Sequence, residues 1–421
     1  MSVFHNKDDL HFYIPGIISK KYTYKQVSQS TNYSIRQLQR IVKRYKKEGE
    51  NAFVHRGTGH VAYNKIPEKL KNEIITIYQT ECTNEFGSIN FLYYRDYLIE
   101  VKNICISYPT LRKILNEAGI QSPEIYKSKR NVVVHRPRPR REHEGDLLQI
   151  DGTPFPWFIF FGNFTYYDMM GGIDDATSKI TAMHMSLNEC LYGYLEVKRQ
   201  TILRFGRPRE EYMDMASIFC CTPKKKENLT IWEQLEGVKG KSTQYQRILA
   251  ELHIKQILAK SPQAKGRVER MWRTVQWRLP FWLYLNGIKT IEEANRRMSE
   301  FIEYYNNHFS EPAKKQETYW LPAPENLDDI LCAQITRTTD SSGCFSFHGY
   351  KFTILGCSRI ACKKITLCIS EKGINARLDG KYYKIKLLDD YIHDVVGDNI
   401  PQVLKEIMYK YLYEDHKEVS A

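Results

Sequence analysis

A chain of 421 residues is too long for one ordinary domain, and its 42% hydrophobic content is enough for several buried cores. The formal charge of +13 predicts a polyanionic partner, most simply nucleic acid. The sequence has no apolar run of membrane-spanning length and no export signal at its start, so we expect a cytoplasmic protein with no membrane partner.

The ten cysteines do not indicate a metal-binding module. None belongs to a CxxC pair, and no array of the CxxC…HxxxH type is present, so a zinc site is not expected. Single cysteines scattered through apolar segments are typical of reduced core residues.

Residues 1–60 have the pattern of a helix-turn-helix DNA-binding domain. Ser34 and Gln37 predict a capping box at the start of its second helix, and Gly49 ends that helix. The predicted buried stripe consists of Ile35, Leu38, Ile41 and Tyr45. The predicted DNA contacts on the outer face are Arg36, Gln37, Gln39, Arg40, Lys43 and Arg44. A three-helix unit with a solvated basic face is the alternative interpretation.

Residues 61–120 predict a second helix-turn-helix domain. Its last helix begins at Ser107 and stops before Gly119, and we expect Arg112 and Lys113 to face DNA. Two such domains in tandem can read a longer DNA site than one domain alone.

Two basic connectors accompany these domains. Arg56 stands among glycines, where it suits a DNA minor groove, although an ordinary linker is equally compatible. Residues 121–145 contain repeated prolines, which disfavour a helix. The arginines expected to track phosphates there are Arg136, Arg138, Arg140 and Arg141. A simple spacer is the alternative for this linker.

Residues 146–320 change to an α/β pattern. The predicted strands span 147–151, 166–174, 179–185, 209–214 and 253–260, and helices are predicted over 191–205, 243–252 and 290–306. Three strands followed by alternating helices and strands predict a mixed sheet covered by helices. In such a sheet the first and fourth strands can be neighbours.

The segment from Lys260 to Arg273 predicts a loop that leads into a helix near Ala264. Its buried face is predicted to consist of Val268, Trp272, Val275 and Leu279. Glu269 lies at the edge of that face among basic residues, which suits a metal ion beside a polyanion. A surface helix with ordinary salt bridges is the alternative.

Three carboxylates are predicted to converge. Asp151 and Asp214 each end a strand, and Glu269 lies on the packed helix. Oxygen ligands without His or Cys suit Mg²⁺ or Mn²⁺. Two such ions about 3.5–4 Å apart can activate a water or a 3′-hydroxyl and stabilise the departing oxygen of a phosphodiester.

These motifs resemble the DDE transposases of bacterial insertion sequences, relatives of retroviral integrases, with the ISNCY-type subgroup as the nearest pattern. The resemblance covers about residues 20 to 320. Its carriers are Gln149-Ile-Asp-Gly, Gly172-Ile-Asp-Asp-Ala-Thr-Ser, Tyr212-Met-Asp-Met-Ala-Ser-Ile-Phe and Ser261-Pro-Gln-Ala-Lys-Gly-Arg-Val-Glu-Arg.

The resemblance implies a ribonuclease-H-like catalytic core in which Asp151, Asp214 and Glu269 bind two metal ions. It places Asp174 and Asp175 in a turn rather than at the metal. The residues expected along the donor DNA end are Lys265, Arg267 and Arg270, and Lys260 and Arg273 are further predicted DNA contacts. The chain departs from the family pattern at Met213, Met215 and Ala216, where small polar or charged residues are usual.

Residues 335–390 show period-two patterning and an Asp379-Gly380 hairpin dipeptide, which predict a small β-barrel similar to the terminal barrels of integrases. A purely structural cap is the alternative. Residues 391–421 are predicted to form a last helix and a tail.

The expected function is therefore transposition. A prokaryotic, nucleoid-associated enzyme would bind the terminal inverted repeats, hydrolyse the 3′ ends and join them to target DNA, as a dimer or larger assembly. The main alternative is a DNA-binding regulator with an inactive core. A nuclease without strand transfer is the third possibility.

Overall fold

A computed structural model describes residues 7–53, 65–123, 139–220, 242–259, 266–358, 360–388 and 402–414. Contacts group the chain into two compact units that divide between Ile74 and Ile75. Within the described ranges, no helix is both long and apolar enough to cross a membrane.

The first unit is built from α1 (Lys7–Ile18), α2 (Tyr24–Thr31) and α3 (Ile35–Glu48), followed by a short 3₁₀ helix, Gly49–Phe53. The predicted capping box is present, because the Ser34 N–H donates to Gln37 Oε1 at 2.9 Å and the Gln37 N–H donates to Ser34 Oγ at 3.2 Å.

The buried stripe of α3 differs from the predicted one. Leu38 and Val42 are buried, four residues apart, whereas Ile35 is 43% exposed. Leu38 and Val42 pack against apolar side chains of α1 and α2, such as Ile14 and Val27. Ile41 and Tyr45 are half-buried and pack against the same core, so the predicted stripe is confirmed apart from Ile35, and Val42 joins it.

The second helical segment consists of α4 (Glu68–Glu81), a hairpin of β1 (Thr83–Asn84) and β2 (Gly87–Ser88), α5 (Phe91–Glu100) and α6 (Tyr108–Glu117). Asn90 caps α5 by accepting from the Tyr93 N–H at 2.8 Å. The buried face of α6 is Leu111, Ile114 and Leu115, as predicted from its periodicity.

The central sheet contains β3 (Leu147–Phe155), β4 (Tyr167–Asp174), β5 (Ile180–Ser186), β6 (Glu210–Met213) and β7 (Lys255–Leu258). Its order is β5-β4-β3-β6-β7. The first three strands along the chain are antiparallel, whereas β3–β6 and β6–β7 are parallel. The prediction of a mixed sheet with adjacent first and fourth strands is therefore confirmed.

Helices cover both faces of this sheet. On one face, α7 (Leu191–Arg204) and α8 (Gln244–Glu251) share a core with Leu148 and Ile150 of β3. On the other face, α9 (Gly266–Leu285) and α10 (Ile291–Phe309) share a core with strands β4 and β5. The predicted buried face of the helix that carries Glu269 is confirmed, since Val268, Trp272, Val275 and Leu279 are all buried.

The second helical segment is fastened to α9 through Arg278. This side chain pairs with Asp96 of α5 at 2.5 Å, and both groups are largely buried. The guanidinium lies 4.6 Å from the ring centroids of Tyr93 and Phe309, and it donates to the Tyr304 hydroxyl at 2.8 Å. An ion pair enclosed by aromatic rings is screened little by water, so it holds α5 firmly against the end of α9.

The last sheet follows α11 (Leu327–Ile330) and contains β8 (Ala333–Thr338), β9 (Cys344–Phe347), β10 (Tyr350–Ile354), β11 (Lys364–Ser370), β12 (Gly373–Leu378) and β13 (Lys381–Leu387). Its order is β8-β11-β12-β13-β10-β9, with antiparallel neighbours and β8 close to β9, so the sheet is nearly closed. Asp379 and Gly380 both have positive φ, as the predicted hairpin turn requires. A final helix, α12 (Gln402–Leu412), packs on β11 and β12.

Candidate active site

Asp151 and Asp214 meet because two parallel strands share one register. Leu147 pairs with Glu210, Leu148 with Glu211 and Gln149 with Tyr212. Extended by two residues, the same register would bring Asp151 level with Asp214, which lies one residue past the end of β6. Neighbouring strands lie about 4.8 Å apart, so the two side chains leave the backbone close together.

Side-chain alternation sends both aspartates to the face that carries α9. On β6, Glu211 accepts a hydrogen bond from Tyr245 of α8, so Asp214, an odd number of residues away, points to the other face. On β3, Gln149 Oε1 accepts from the Val268 N–H at 3.3 Å, and Thr153 Oγ1 accepts from Gln276 Nε2 at 3.1 Å. Asp151 lies between Gln149 and Thr153 on that side.

Glu269 belongs to the helix that packs on this face. It precedes Gln276 by seven residues, which is close to two helical turns, so both lie on the same side of α9. Gln276 contacts β3 through Thr153, and Glu269 lies two turns nearer the start of the helix with its side chain exposed. All three predicted carboxylates therefore belong to elements that meet on one face of the sheet.

Asp214 is held by a local backbone bond. Its Oδ1 accepts from the Ala216 N–H at 2.9 Å. Because the donor is a backbone group, this contact does not depend on the side chain at 216, where the chain departs from the family pattern. Met213 is fully buried and Met215 is 55% exposed.

A fourth carboxylate, Glu189, lies next to the aspartates and was not identified from the sequence. A Cβ added to Gly152 would lie 2.9 Å from the Tyr194 hydroxyl and 3.1 Å from Glu189 Oε1, so only glycine leaves them room. Tyr194 donates a hydrogen bond to Glu189. Glu189 lies in the loop before α7, where the sequence shows no motif. The sequence feature that reflects its position is Gly152, which follows Asp151.

The pKa of Glu189 responds to the charges of both aspartates. Burial raises the pKa of Glu189, the Tyr194 hydrogen bond opposes that rise, and the charges of Asp214, Asp168 and Asp151 raise the pKa further. Burial also raises the pKa of Tyr194, and Asp151 and Asp214 both add to that rise. Asp151 and Asp214 thus both act on this buried pair of groups.

Asp174 and Asp175 lie in the turn between β4 and β5, as the resemblance implied. Both are fully buried. Asp174 Oδ2 accepts from the Thr177 N–H at 2.8 Å, and its Oδ1 accepts from the Gly145 N–H at 2.9 Å. Burial raises the pKa of Asp174, which these bonds counteract. Its carboxylate is thus committed to the turn.

The donor chemistry of the site suits a hard divalent cation, because Asp151, Asp214 and Glu269 offer carboxylate oxygens only. Across the described part of the chain, no three His, Cys, Asp or Glu side chains converge closely enough to hold a metal ion. The predicted convergence of Asp151, Asp214 and Glu269 around one point is therefore not found, although β3, α9 and the residue that follows β6 lie at one part of the sheet.

The predicted DNA contacts fall into three groups. The exposed ones are Arg36, Gln37, Gln39, Arg40, Lys43, Arg112, Lys113, Arg270 and Arg273. The half-buried ones with acceptors inside the protein are Arg44, Arg140, Arg141 and Arg267. The ones outside the described residues are Arg56, Arg136, Arg138, Lys260 and Lys265.

The internal bonds of the half-buried arginines are specific. Arg44 donates to the Ala52 carbonyl, and Arg140 forms an ion pair with Glu311 at 3.0 Å. Arg141 lies 3.5 Å from Asp146. Arg267 donates to Asp175 at 2.7 Å. For these arginines, a role in the fold competes with the predicted role at DNA.

Two relatives are transposases by name. A Sinorhizobium fredii (strain NBRC 101917 / NGR234) protein named "Putative transposase y4bF" is 30% identical over 335 residues, which are 79% of this chain and 69% of that protein. The "Transposase for insertion sequence IS1202" of Streptococcus pneumoniae is 28% identical over 368 residues, which are 80% of this chain and 75% of that protein. No protein-family model matches the chain.

Among solved structures, a simian T-cell lymphotropic virus intasome in complex with PP2A regulatory subunit B56 gamma is 16% identical, with a TM-score of 0.31 and coverage of 66% of this chain and 88% of that one. The HTLV-2 integrase catalytic core domain in complex with magnesium is 15% identical, with a TM-score of 0.28 and coverage of 42% and 95%. TM-scores this low do not establish a shared fold. The transposase relatives do settle the class, and the chain belongs to the transposases of bacterial insertion sequences.

Proposed function

We propose that this chain is a DDE transposase with a ribonuclease-H-like core, in which Asp151, Asp214 and Glu269 bind two Mg²⁺ or Mn²⁺ ions. The observation that supports the proposal is the parallel register of β3 and β6, because its extension by two residues would bring Asp151 level with Asp214 near the helix that bears Glu269. The strand order β5-β4-β3-β6-β7 supports this core, because it makes the first and fourth strands neighbours.

When bound at these carboxylates, the two ions supply an activated water or 3′-hydroxyl and stabilise the departing oxygen of the phosphodiester. Asp151 and Asp214 supply oxygens from a rigid sheet, and Glu269 supplies oxygens from the packed helix. Exposed Arg270 and Arg273 follow Glu269 on the same helix, where they can neutralise the phosphates of the donor end. The chain thus binds and orients the scissile phosphate at the strand ends.

The terminal inverted repeats would be bound by α3 and α6, which present basic side chains to solvent. Their exposed Arg40 and Arg112 suit phosphates or guanine edges in a major groove. Because two transposon ends must be processed together, the active assembly is a dimer or larger oligomer on DNA.

The test uses DNA duplexes taken from the regions that flank the gene. Wild type should nick them in Mg²⁺, and Asp151→Asn or Glu269→Gln should lower the nicking rate at least about 100-fold while leaving DNA binding intact, since each change removes a metal ligand. Glu303→Gln, an exposed glutamate on α10, is the matched control and should nick like wild type.

Two outcomes would contradict the proposal. Wild type that binds end DNA but never nicks it would favour a DNA-binding regulator with an inactive core. Nicking without joined products in the presence of a target plasmid would indicate a nuclease that lacks strand transfer.

A further inference from the structure

Asp175 is a buried carboxylate that collects donors from three separate segments of the chain. It is fully buried in the turn between β4 and β5. Its Oδ1 accepts from Gln149 Nε2 at 2.7 Å and from Arg267 Nε at 2.7 Å, and its Oδ2 accepts from the Arg141 N–H at 2.8 Å. A carboxylate is stable in such a place only because charged and polar partners surround it.

Gln149 extends this network to the backbone of α9. The same side chain that donates to Asp175 accepts from the Val268 N–H at 3.3 Å. That N–H belongs to the first turn of the helix, where backbone donors have no partner within the helix. One side chain of β3 is thus bonded both to the turn and to the start of α9.

The residues held in this way stand directly beside the candidate metal ligands. Arg267 and Val268 immediately precede Glu269, and Gln149 precedes Asp151 by two residues on the same side of β3. The relative position of Glu269 and Asp151 is therefore linked through two short hydrogen-bonded routes, one along Gln149 and the other along Asp175 and Arg267.

We propose that Asp175 and Arg267 are positioning residues that fix Glu269 relative to Asp151 and Asp214, and that Arg267 does not serve as a contact to DNA phosphates. Its side chain is only 15% exposed and its Nε donates to Asp175, whereas Arg270 and Arg273 on the same helix are exposed. This inference rests on the proposed function, because it assigns these residues to the geometry of that same carboxylate site.

Arg267→Lys separates the two roles. Lysine keeps the positive charge that a phosphate contact needs, but it lacks the planar Nε donor that meets Asp175. We expect unchanged affinity for end DNA and an unchanged salt dependence of binding, with a nicking rate about 100-fold lower, since small misplacements of catalytic groups cost about that much. Arg296→Lys, at an exposed arginine of α10, is the matched control and should behave like wild type.

A second readout does not depend on nicking. In a titration of Mn²⁺ followed by the electron paramagnetic resonance of the free ion, Arg267→Lys should bind Mn²⁺ about 10–100-fold more weakly than wild type, as loss of a supporting contact around metal ligands does. Thermal unfolding of each variant reports its fold. Should the Arg267→Lys protein fail to fold, Asp175→Asn, which keeps the side-chain shape, must show the same weakened Mn²⁺ binding with intact DNA binding.

The outcomes distinguish this inference from the proposed function. Arg267→Lys that nicks end DNA at the wild-type rate with normal Mn²⁺ affinity would overturn the inference and return Arg267 to the DNA contacts, because lysine keeps the charge that a phosphate contact needs. Wild type that binds Mn²⁺ without nicking would count against the proposed function alone. Wild type with no Mn²⁺ affinity would overturn both.

Discussion

The two faces of the central sheet differ in the surroundings that they give to acidic side chains. On the α7 and α8 face, Glu211 is fully buried between the Lys198 ammonium, which donates to it, and the Tyr245 hydroxyl at 3.0 Å. On the α9 face, three residues further along the chain and just past the end of β6, Asp214 is half-buried and accepts from the Ala216 N–H. Glu211 is thus enclosed with a cation inside the protein, whereas Asp214 is partly accessible to solvent.

The largest effect should follow from removing the buried cation on the α7 and α8 face of the sheet. Lys198→Met leaves Glu211 buried without its cation, which should lower the free energy of unfolding by about 3–5 kcal/mol. Urea unfolding followed by tryptophan fluorescence measures this loss. Adding Glu211→Gln removes the stranded charge and should restore at least about 1 kcal/mol. Equal stability of the single and double variants would show that the pair is not coupled.

Mg²⁺ should stabilise the folded protein through the carboxylates on the α9 face of the sheet. At a concentration 100 times its Kd, Mg²⁺ should add about 2.7 kcal/mol to the stability of wild type, seen as a higher Tm. Asp214→Asn should lose this response. Without divalent ions the variant should be at least as stable as wild type, because one of two neighbouring carboxylates has gone. A full Mg²⁺ response in the variant would remove Asp214 from the site.

On the α7 and α8 face, His184 should make the stability of the protein sensitive to acid. Burial lowers the pKa of this imidazole, which lies 5.4 Å from the Tyr192 ring of α7, to about 4. The unfolded chain binds a proton below about pH 6.5, whereas the folded chain does so only near pH 4, so stability falls as the pH drops through this window. The loss should be about 2 kcal/mol at pH 5.

The difference between wild type and His184→Gln isolates this contribution from that of the acidic groups. Urea unfolding at pH 7 and pH 5 should show a smaller acid loss in the variant. An identical loss in both proteins would mean that His184 titrates normally in the folded state.

The smallest effect is expected at the first residue of α9. A Cβ added to Gly266 would meet no described atom within 4 Å, and alanine favours helix by up to about 1 kcal/mol, so Gly266→Ala should stabilise the protein slightly. If DNA approaches this backbone, the same variant should nick end DNA more slowly. Unchanged nicking would show that the glycine is not needed for that approach.

Sequence patterns predicted the helices and strands of the candidate site better than the contacts between them. Strand periodicity predicted that Asp151 ends its strand, which is wrong because β3 continues to Phe155, whereas Asp214 does follow the last residue of β6. The helical spacing of Val268 and Trp272 correctly placed Glu269 beside a buried face. Local patterns contain that information. The register that aligns residue 151 with residue 214 depends on long-range pairing, which no local pattern reveals.

The same limit applies to predicting which basic residues contact DNA. A run of arginines predicts affinity for phosphate, but whether Arg267 reaches DNA or Asp175 depends on which carboxylate the fold brings near. Asp175 comes from a turn 92 positions earlier in the chain. Glu189 was missed for the same reason, because only the packing of α7 on β3 brings it to Gly152.

The buried ion pair between Asp96 and Arg278 fixes the position of α5 relative to the helix that bears Glu269. Because α6 packs on α5, the ion pair also links α6 to the helix that bears Glu269. If α6 binds end DNA as proposed, this ion pair would help to set the distance from that DNA to Glu269.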